Sequence, residues 1–225
     1  MENTGKLYVV ATPIGNLQDI TVRAIDTLKQ VHTIVCEDTR VSSVLLNKYD
    51  IKKPLIAINE FNEEQMIYQI IKLLETNDIA LVSDAGTPLI SDPGYRLVTA
   101  ARAKEIKVIP IPGASAVIAA LSASSLPTDK FIFLGFLPKS KTKATKTLSE
   151  ILTLKTTVVL YESPHRIATC MDRILEVFGD IEVTVARELT KIHEEIITKK
   201  ASEFIALYSE REPKGEIVVL FSTKS

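Results

Sequence analysis

Six short clusters of charged, hydroxyl, glycine and proline residues carry the chemistry of this sequence, and each follows a short apolar run. The clusters are Thr12–Asn16, Glu37–Arg40, Ser83–Pro88, Pro112–Ala116, Tyr161–Arg166 and Arg187–Thr190. Short apolar runs of this kind predict buried strands. In open α/β sheets, ligands bind beyond the carboxyl ends of the strands. We therefore expect the clusters to gather around a shared cleft between two sheets.

The loop after the first predicted strand indicates which cofactor this cleft accepts. It contains one glycine and Pro13, and it matches neither the dinucleotide fingerprint nor the P-loop motif. Pro13 also removes an amide where a phosphate-binding loop needs one. S-adenosylmethionine has no phosphate and needs an apolar slot, backbone partners and a negative or carbonyl-rich wall. Ser83–Thr87 offers close backbone approach at Gly86 and a carboxylate at Asp84, although a tight turn capped by Asp84 explains the same residues.

Acid–base groups are concentrated in Tyr161–Arg166. His165 is a candidate acid or base, and Arg166 is suited to holding a phosphate. The alternative is that Ser163 and Pro164 start a helix, with Glu162 and Arg166 solvated or paired. A structural explanation is also open for two other charged pairs, which can form ion pairs on strand edges: Arg187-Glu188 and Glu194-Glu195.

A lysine-rich segment predicts contact with RNA. Four lysines fall within eight residues, shortly after the aromatic run Phe133–Phe136; they are Lys139, Lys141, Lys143 and Lys146. Basic residues beside aromatics suit a nucleic-acid backbone with a stacked base, but lysine-rich turns are also common solvated surface. The formal net charge of −1 excludes a strongly basic RNA-binding domain, whereas a local basic patch remains compatible with it.

In the first half, strands alternate with helices. The predicted strands are Leu7–Ala11, Thr33–Cys36, Leu55–Ile58, Ile79–Val82 and Lys107–Ile111, and the predicted helices are Thr21–Val31, Glu63–Glu75 and Pro93–Ala103, the last with Asp92 as N-cap. This alternation predicts a mostly parallel sheet with helices on both faces.

The second half has a different pattern, which predicts a mixed sheet. A small-residue helix over Ala114–Ser124 precedes strands at Phe131–Gly135, Thr157–Tyr161, Glu182–Arg187, His193–Thr198 and Glu216–Phe221, with a lysine-rich helix after the first and a helix at His165–Phe178 after the second. We expect the second and third of the last three strands, His193–Thr198 and Glu216–Phe221, to be joined by a short turn in a β-hairpin. We predict two α/β domains, residues 1–113 and 114–225.

The composition places the chain among cytoplasmic globular proteins. No window holds the roughly 18 uncharged apolar residues that a membrane helix needs, and Met1–Lys6 does not resemble a signal peptide. The two cysteines, Cys36 and Cys170, are far apart in the sequence and predict free core thiols. No histidine or cysteine spacing predicts a metal site.

Taken together, the motifs resemble the ribosomal RNA small subunit methyltransferase I family of the tetrapyrrole methylase superfamily. The residues that carry the resemblance are Ala11–Leu17, Cys36–Arg40, Ser83–Pro88 with Ser91–Gly94, Pro112–Ser115, Tyr161–Arg166 and Arg187–Lys191. Each motif alone is weak, but their common order along Gly5–Phe221 is specific. Tetrapyrrole-modifying relatives have a glycine-rich first loop, which Thr12–Asn16 replaces here, and this departure argues against a porphyrinoid substrate.

The resemblance implies an activity. Family members transfer a methyl group from S-adenosylmethionine to the 2′-hydroxyl of a cytidine in the decoding region of 16S ribosomal RNA. They are homodimers of two α/β domains with the cofactor in the cleft between the domains. Carried onto this sequence, the implied cofactor contacts are Pro13, Ser83, Asp84, Ala85, Gly86, Thr87, Ser115, Tyr161, Ala186 and Glu188.

A ribose hydroxyl is a weak nucleophile, so a base or a cation near the developing alkoxide would assist its methylation. The candidates for this role are Glu37, Asp38, Arg40, Glu162, His165 and Arg166, followed by Arg187 and Glu188. Two rival functions stay open. One is methylation of a small tetrapyrrole intermediate, and the other is a non-catalytic RNA-binding factor in ribosome assembly.

Overall fold

The computed structural model describes residues 5–59 and 62–224, and the chain divides into two compact units, Met1–Ser115 and Ala116–Ser225. The sequence prediction places the boundary between residues 113 and 114. Residues 1–4 of the polar N-terminal segment lie outside the described residues.

The first unit contains a five-stranded parallel sheet with strand order β3-β2-β4-β1-β5. The strands are β1 (Lys6–Val10), β2 (Thr33–Cys36), β3 (Leu55–Ala57), β4 (Ile79–Leu81) and β5 (Lys107–Ile111). Because every described pairing in this sheet is parallel, all five carboxyl ends lie along one edge. The predicted mostly parallel sheet is confirmed.

Helices cover both faces of this sheet. They are α1 (Val22–Gln30), α2 (Thr39–Lys48), α3 (Glu63–Leu74) and α4 (Tyr95–Ala103). Leu28 of α1 and Leu46 of α2 pack in one apolar cluster, while Leu74 of α3 and Leu97 of α4 pack in another. This two-sided burial explains why the strands read as continuous apolar runs.

Two features of the first unit differ from the sequence prediction. Helix α2 was not predicted, because the segment after Asp38 is rich in threonine, serine and valine, which have modest helix propensity. It is stabilised by burial of Leu45 and Leu46 and by the side chain of Asp38, which accepts a hydrogen bond from the amide of Arg40. Helix α4 begins after Gly94 rather than at the predicted Asp92-Pro93.

The second unit contains a five-stranded mixed sheet with strand order β6-β7-β10-β8-β9. The strands are β6 (Phe131–Phe136), β7 (Thr157–Glu162), β8 (Glu182–Arg187), β9 (Glu195–Lys200) and β10 (Ile217–Ser222). Strands β6 and β7 are parallel, and the other three pairings are antiparallel. The predicted mixed sheet is therefore confirmed. The predicted hairpin is wrong in its strands: β9 pairs with β8 and not with β10, because a helix over Ala201–Glu210 occupies the connection between β9 and β10.

One face of this second sheet packs against three helices, and the other receives a fourth. Helices α6 (Lys141–Glu150), α7 (Ile167–Phe178) and α8 (Ala201–Glu210) share an apolar cluster with the strands, whereas α5 (Ala116–Ala123) contacts β7 and β10. Helix α8 was not predicted, and α7 begins after a short 3-10 turn at Pro164–Arg166 rather than at His165. Both cysteines are free and buried in their respective units, as predicted.

No helix within the described residues is long and apolar enough to cross a membrane.

Candidate functional site

The loops after β1 and β4 are joined at the carboxyl edge of the first sheet. The amide of Thr12 donates to the carbonyl of Gly86 at 2.8 Å, and the amide of Gly86 donates to the carbonyl of Thr12 at 3.1 Å. The Thr12 hydroxyl also donates to the Ser83 carbonyl at 3.1 Å. Thr12 and Ser83 are almost fully buried, so these bonds fix the two loops against each other. We call Thr12, Pro13 and residues 83–87 the loop cradle.

Two glycines permit a close approach of backbone at the loop cradle. Gly86 has a φ of +84°, and a Cβ at this position would lie 3.3 Å from Cγ2 of Ile14. Gly113 follows β5, and a Cβ there would lie 3.0 Å from the Cβ of Ala11. Thr87 adds a hydrogen bond from its hydroxyl to the carbonyl of Ala114 at 3.1 Å. The loop after β5 is thus held beside the loops after β1 and β4.

Carboxylates give the same edge a negative character. The Asp38 amide donates to Oδ1 of Asp84 at 3.2 Å, which links the loops after β2 and β4. Burial raises the pKa of Asp84. The Arg40 side chain, whose Nη2 lies 2.6 Å from Oδ2 of Asp38, lowers the pKa of Asp38 to about 2. Asp38 is therefore a poor proton acceptor, because a general base needs a pKa near the working pH.

A cavity of about 510 Å³ lies beyond β2 and β3 in the first unit. Its lining includes one of the predicted catalytic candidates, Glu37, together with Asn59, Ser91, Asp92, Tyr95 and Arg96. Sequence reasoning overlooked the last five as site residues. Asp92 was interpreted as a helix cap and as part of the Ser91–Gly94 motif, without a role in a site. For Asn59, the signal that would have identified it is its position after β3, at the carboxyl edge of the sheet.

In the second unit, the carboxyl ends of β6, β7 and β8 lie at one edge of the sheet, because β10 pairs antiparallel with both β7 and β8. Glu162 at the end of β7 is 3% exposed, and its Oε1 accepts a hydrogen bond from the Ser163 amide at 2.8 Å. Burial raises the pKa of Glu162. Such a carboxylate has little access to a substrate, so its position suits a structural role.

Arg166 ties two of these strand ends together. Its Nη2 donates to the carbonyl of Leu137 at 2.7 Å, and its Nε lies 3.6 Å from Oε1 of Glu162. Arg166 is thus paired in the structure, as in the alternative interpretation of Tyr161–Arg166 given by the sequence. His165, on the same 3-10 turn, has an 84% exposed side chain that contacts the carboxylate of Glu212.

A second ionic network follows β8. The Lys191 ammonium lies 2.8 Å from Glu188 and 2.9 Å from Glu216, and its hydrogen bond to Glu188 lowers the pKa of that carboxyl. A Cβ on Gly215 would lie 2.2 Å from the Glu188 carboxyl group, so the glycine makes room for it. Arg187 lies 3.4 Å from Glu195 across the hairpin.

The remaining predicted site residues have contrasting environments. Ala186 is fully buried within β8, whereas Ser115 and Tyr161 are partly exposed. The Tyr161 ring packs edge-on against Phe133, with ring centroids 4.9 Å apart. The four predicted RNA-binding lysines are all exposed: Lys139 precedes α6, and Lys141, Lys143 and Lys146 lie on it.

Comparison with known proteins identifies the family. A model described as Tetrapyrrole (Corrin/Porphyrin) Methylases matches residues 6–205. The chain is also 48% identical over 221 residues to the ribosomal RNA small subunit methyltransferase I of Thermotoga maritima, with 98% of this chain and 99% of that protein covered. The chain belongs to the ribosomal RNA small subunit methyltransferase I family of tetrapyrrole methylases.

Other members of this methyltransferase family show comparable similarity. Identity is 51% to the same-named protein of Vibrio cholerae, with 95% of this chain and 76% of that protein covered. Identity is 47% to that of Halalkalibacterium halodurans, with 97% and 76% covered.

Solved structures confirm the tetrapyrrole methylase fold. A cobalt precorrin-4 methyltransferase superposes with a TM-score of 0.73 at 18% identity, with 98% of this chain and 96% of that chain covered. A diphthine synthase gives a TM-score of 0.75 at 13% identity, with 96% and 89% covered. These distant similarities concern the fold alone.

Proposed function

We propose that this chain transfers a methyl group from S-adenosylmethionine to the 2′-hydroxyl of a cytidine in the decoding region of 16S ribosomal RNA, in the cytoplasm and as a homodimer. The observation that carries the proposal is the near-full-length similarity, at 45–51% identity, to proteins that share the name ribosomal RNA small subunit methyltransferase I. The substrate is the ribosomal RNA itself or an assembled small subunit.

The loop cradle fits a cofactor without phosphates. Pro13 has no N–H, and the N–H groups of Thr12 and Gly86 each donate to the carbonyl oxygen of the other residue. The backbone donors that a phosphate-binding loop presents are thus missing at these three positions. The proposed cofactor contacts remain Pro13, Ser83, Asp84, Ala85, Gly86, Thr87 and Ser115 in the first unit, and Tyr161, Ala186 and Glu188 in the second.

Charge also favours a sulfonium over a phosphate at this edge. The Asp84 carboxylate accepts a hydrogen bond from the backbone amide of Asp38, which holds the two acidic residues at this edge, and the positive φ of Gly86 lets the loop approach a ligand closely. Carboxylates attract a positively charged sulfur and repel phosphate oxygens. When bound, S-adenosylmethionine supplies an activated methyl group, and the residues of the chain then have to align the nucleophile with it.

Among the proposed catalytic residues, the geometry favours Glu37 as the group that accepts the ribose proton. Glu37 lines the cavity at the end of β2, next to the Asp38–Asp84 link. Asp38 is too weak a base, and Glu162 is almost fully buried. His165 is exposed and stays a second candidate. Arg40 is positioned by Asp38, and Arg166 by the Leu137 carbonyl.

The lysines of α6 suit the ribosomal RNA backbone. Their ammonium groups are exposed at Lys139, Lys141, Lys143 and Lys146, so phosphates can approach them from solvent. A small tetrapyrrole substrate would not require such a surface. The lysines therefore favour the RNA substrate over the tetrapyrrole alternative.

The proposal is tested by incubating the protein with labelled S-adenosylmethionine and small subunits from a strain that lacks the activity, and then mapping the modified nucleotide. We expect one 2′-O-methylated cytidine in the decoding region. Binding of subunits without methyl transfer would instead support a non-catalytic assembly factor. Labelling of a tetrapyrrole, with none of the RNA, would support the other rival.

Replacement of each candidate base by alanine then separates the roles. Glu37→Ala should lower turnover at least tenfold, equivalent to about 1.4 kcal/mol, while the affinity for S-adenosylmethionine, measured separately, changes little. If neither Glu37→Ala nor His165→Ala lowers turnover to this extent, the assignment of the base is wrong.

A further inference from the structure

The cavity beyond β2 and β3 has no role in cofactor binding as described above. Its volume of about 510 Å³ falls within the range of about 300–1,000 Å³ that is usual for small-molecule sites. The residues that line it include three acidic residues, an amide residue, a basic residue and an aromatic residue: Glu37, Glu63, Asp92, Asn59, Arg96 and Tyr95. This combination of an aromatic ring with hydrogen-bond donors and acceptors is suited to a planar heterocycle.

The backbone before α4 fixes the position of Tyr95 among the residues that line this cavity. Gly94 has a φ of +117°, and a Cβ there would lie 2.8 Å from Cδ2 of Leu81 in β4. Only glycine fits this position, so the start of α4 lies directly against the sheet. Tyr95 follows immediately and is 71% exposed. Its position is thus fixed by the backbone even though the side chain faces solvent.

Ion pairs hold the adjoining wall of the cavity. Nη1 of Arg96 lies 3.1 Å from Oε1 of Glu64, and Nε of Arg96 lies 3.7 Å from Oε2 of Glu63. These pairs connect the first turn of α4 to that of α3, so the cavity is bounded by two anchored helices.

We propose that this cavity receives the base of the target cytidine, with Tyr95 stacking on the ring and Asp92 accepting a hydrogen bond from the exocyclic amino group. The inference rests on the proposed function, because it takes the substrate to be a cytidine of ribosomal RNA. Sequence-specific RNA recognition commonly uses unstacked bases that pack on aromatic side chains and are hydrogen-bonded on their edges. Enzymes that modify nucleotides commonly extrude the target from its stack.

The charges of the residues that line the cavity determine which base it accepts and which edge of that base enters. A carboxylate accepts a hydrogen bond from the N4 amino group of cytosine, which is a donor. Uracil has a carbonyl oxygen at that position. This oxygen and the Asp92 carboxylate are both hydrogen-bond acceptors, so they would face each other with no proton between them. Arg96 has five N–H donors, more than its ion pairs with Glu63 and Glu64 use, and a remaining N–H suits an acceptor atom of the pyrimidine, N3 or O2. Phosphates would be repelled by Glu37 and Asp92, so they remain outside the cavity.

The direction of the nucleotide follows from the position of Glu37. This residue lines the cavity and precedes Asp38, whose amide donates to Asp84 of the loop cradle at 3.2 Å. The ribose would lie at the Glu37 end, beside the loop cradle, and the base would extend towards Asp92 and Tyr95. In this orientation the 2′-hydroxyl meets the proposed proton acceptor.

The stacking contact is tested with Tyr95→Ala, with Tyr95→Phe and Tyr68→Ala as matched controls. Tyr68 on α3 is 78% exposed and is not part of the cavity lining. Since stacking of a base on an aromatic side chain contributes about 1–3 kcal/mol, kcat/KM for small subunits should fall at least about fivefold in Tyr95→Ala. Tyr95→Phe and Tyr68→Ala should stay within twofold of the unsubstituted protein, and all variants should bind S-adenosylmethionine equally well.

The base edge is tested with small subunits in which the methylated cytidine is replaced by uridine. An amide in Asp92→Asn can donate to the uracil O4, so the ratio of uridine to cytidine methylation should rise at least tenfold. If Tyr95→Ala behaves like Tyr68→Ala and Asp92→Asn leaves this ratio unchanged while the unsubstituted protein methylates the subunit, the base pocket is wrong and the proposed function stands. If the unsubstituted protein modifies no ribose, the proposed function fails and the pocket fails with it.

Discussion

Replacement of Gly86 by alanine probes the loop cradle directly. Gly86 has a φ of +84° and exchanges two backbone hydrogen bonds with Thr12, of 2.8 and 3.1 Å. An added Cβ would lie 3.3 Å from Ile14 and 3.7 Å from the Ala114 carbonyl oxygen, so space is tight but not absent. The main effect of the substitution is therefore conformational.

The expected magnitude follows from the backbone. Holding an L-residue in the left-handed region costs about 1–2 kcal/mol. An alanine at position 86 relieves this strain in the free protein by moving to negative φ, which breaks the pairing with Thr12. Binding of S-adenosylmethionine to the cradle would require the original conformation again. At about 1.4 kcal/mol per tenfold change in affinity, the dissociation constant should rise about 5- to 30-fold.

Isothermal titration calorimetry with S-adenosylmethionine measures this change, and Gly179→Ala provides the matched control. Gly179 ends α7 with φ +77° and ψ −169°, a conformation that is almost exclusive to glycine, and nothing lies within 4 Å of the added Cβ. This control should lose stability but keep its cofactor affinity. A Gly86→Ala protein that binds the cofactor as tightly as the unsubstituted protein would refute the assignment of the cradle.

Three other predictions concern the second unit. Substitution of the four lysines of the predicted RNA-binding segment by glutamine should weaken methylation of small subunits and reduce its dependence on salt, with unchanged cofactor affinity. The same substitution of four exposed lysines elsewhere should have little effect. The first set is Lys139, Lys141, Lys143 and Lys146, and the control set is Lys48, Lys72, Lys104 and Lys107. Burial raises the pKa of Glu162 above its usual 4.5 in the folded state, so the folded protein binds the proton more tightly than the unfolded chain does. The free energy of unfolding therefore falls as the pH rises from about 4.5 through the folded pKa. Glu162→Gln should remove this loss in urea unfolding measured at several pH values, and the exposed Glu182→Gln should retain it; identical pH profiles for both variants would contradict the assignment. Gly215→Ala should displace the Glu188 carboxyl group, which lies 2.2 Å from the added Cβ, and should raise the dissociation constant for S-adenosylmethionine; unchanged affinity would remove Glu188 from the proposed contacts.

The sequence predicts the parallel sheet well because its strands are buried on both sides. Runs such as residues 33–36 and 79–81 are almost entirely apolar, and they coincide with β2 and β4 within one residue. Helices α2 and α8 were overlooked for a physical reason. Their interiors contain several residues of modest propensity, and their stability comes from a few packed side chains, such as Leu46 and Phe204, which is not visible from local pattern alone.

The candidate site was predicted in part. Motif order located the segments that form the loop cradle, because the carboxyl ends of parallel strands lie at one edge. It did not reveal the pairing of Thr12 with Gly86, nor that Tyr95 and Asp92 line a cavity with Glu37, since these relations depend on strand order and on the backbone at Gly94. The burial of Glu162 was equally invisible, because a charged residue after a strand normally indicates exposure.

A crystal structure determined with S-adenosylhomocysteine, the demethylated product of the cofactor, would show whether the loop cradle binds the cofactor. We expect density for this ligand against the backbone of residues 83–87, with Pro13 in contact and the Thr12–Gly86 pairing intact. Density for the ligand at another part of the chain, with this edge of the sheet filled by water alone, would contradict this expectation.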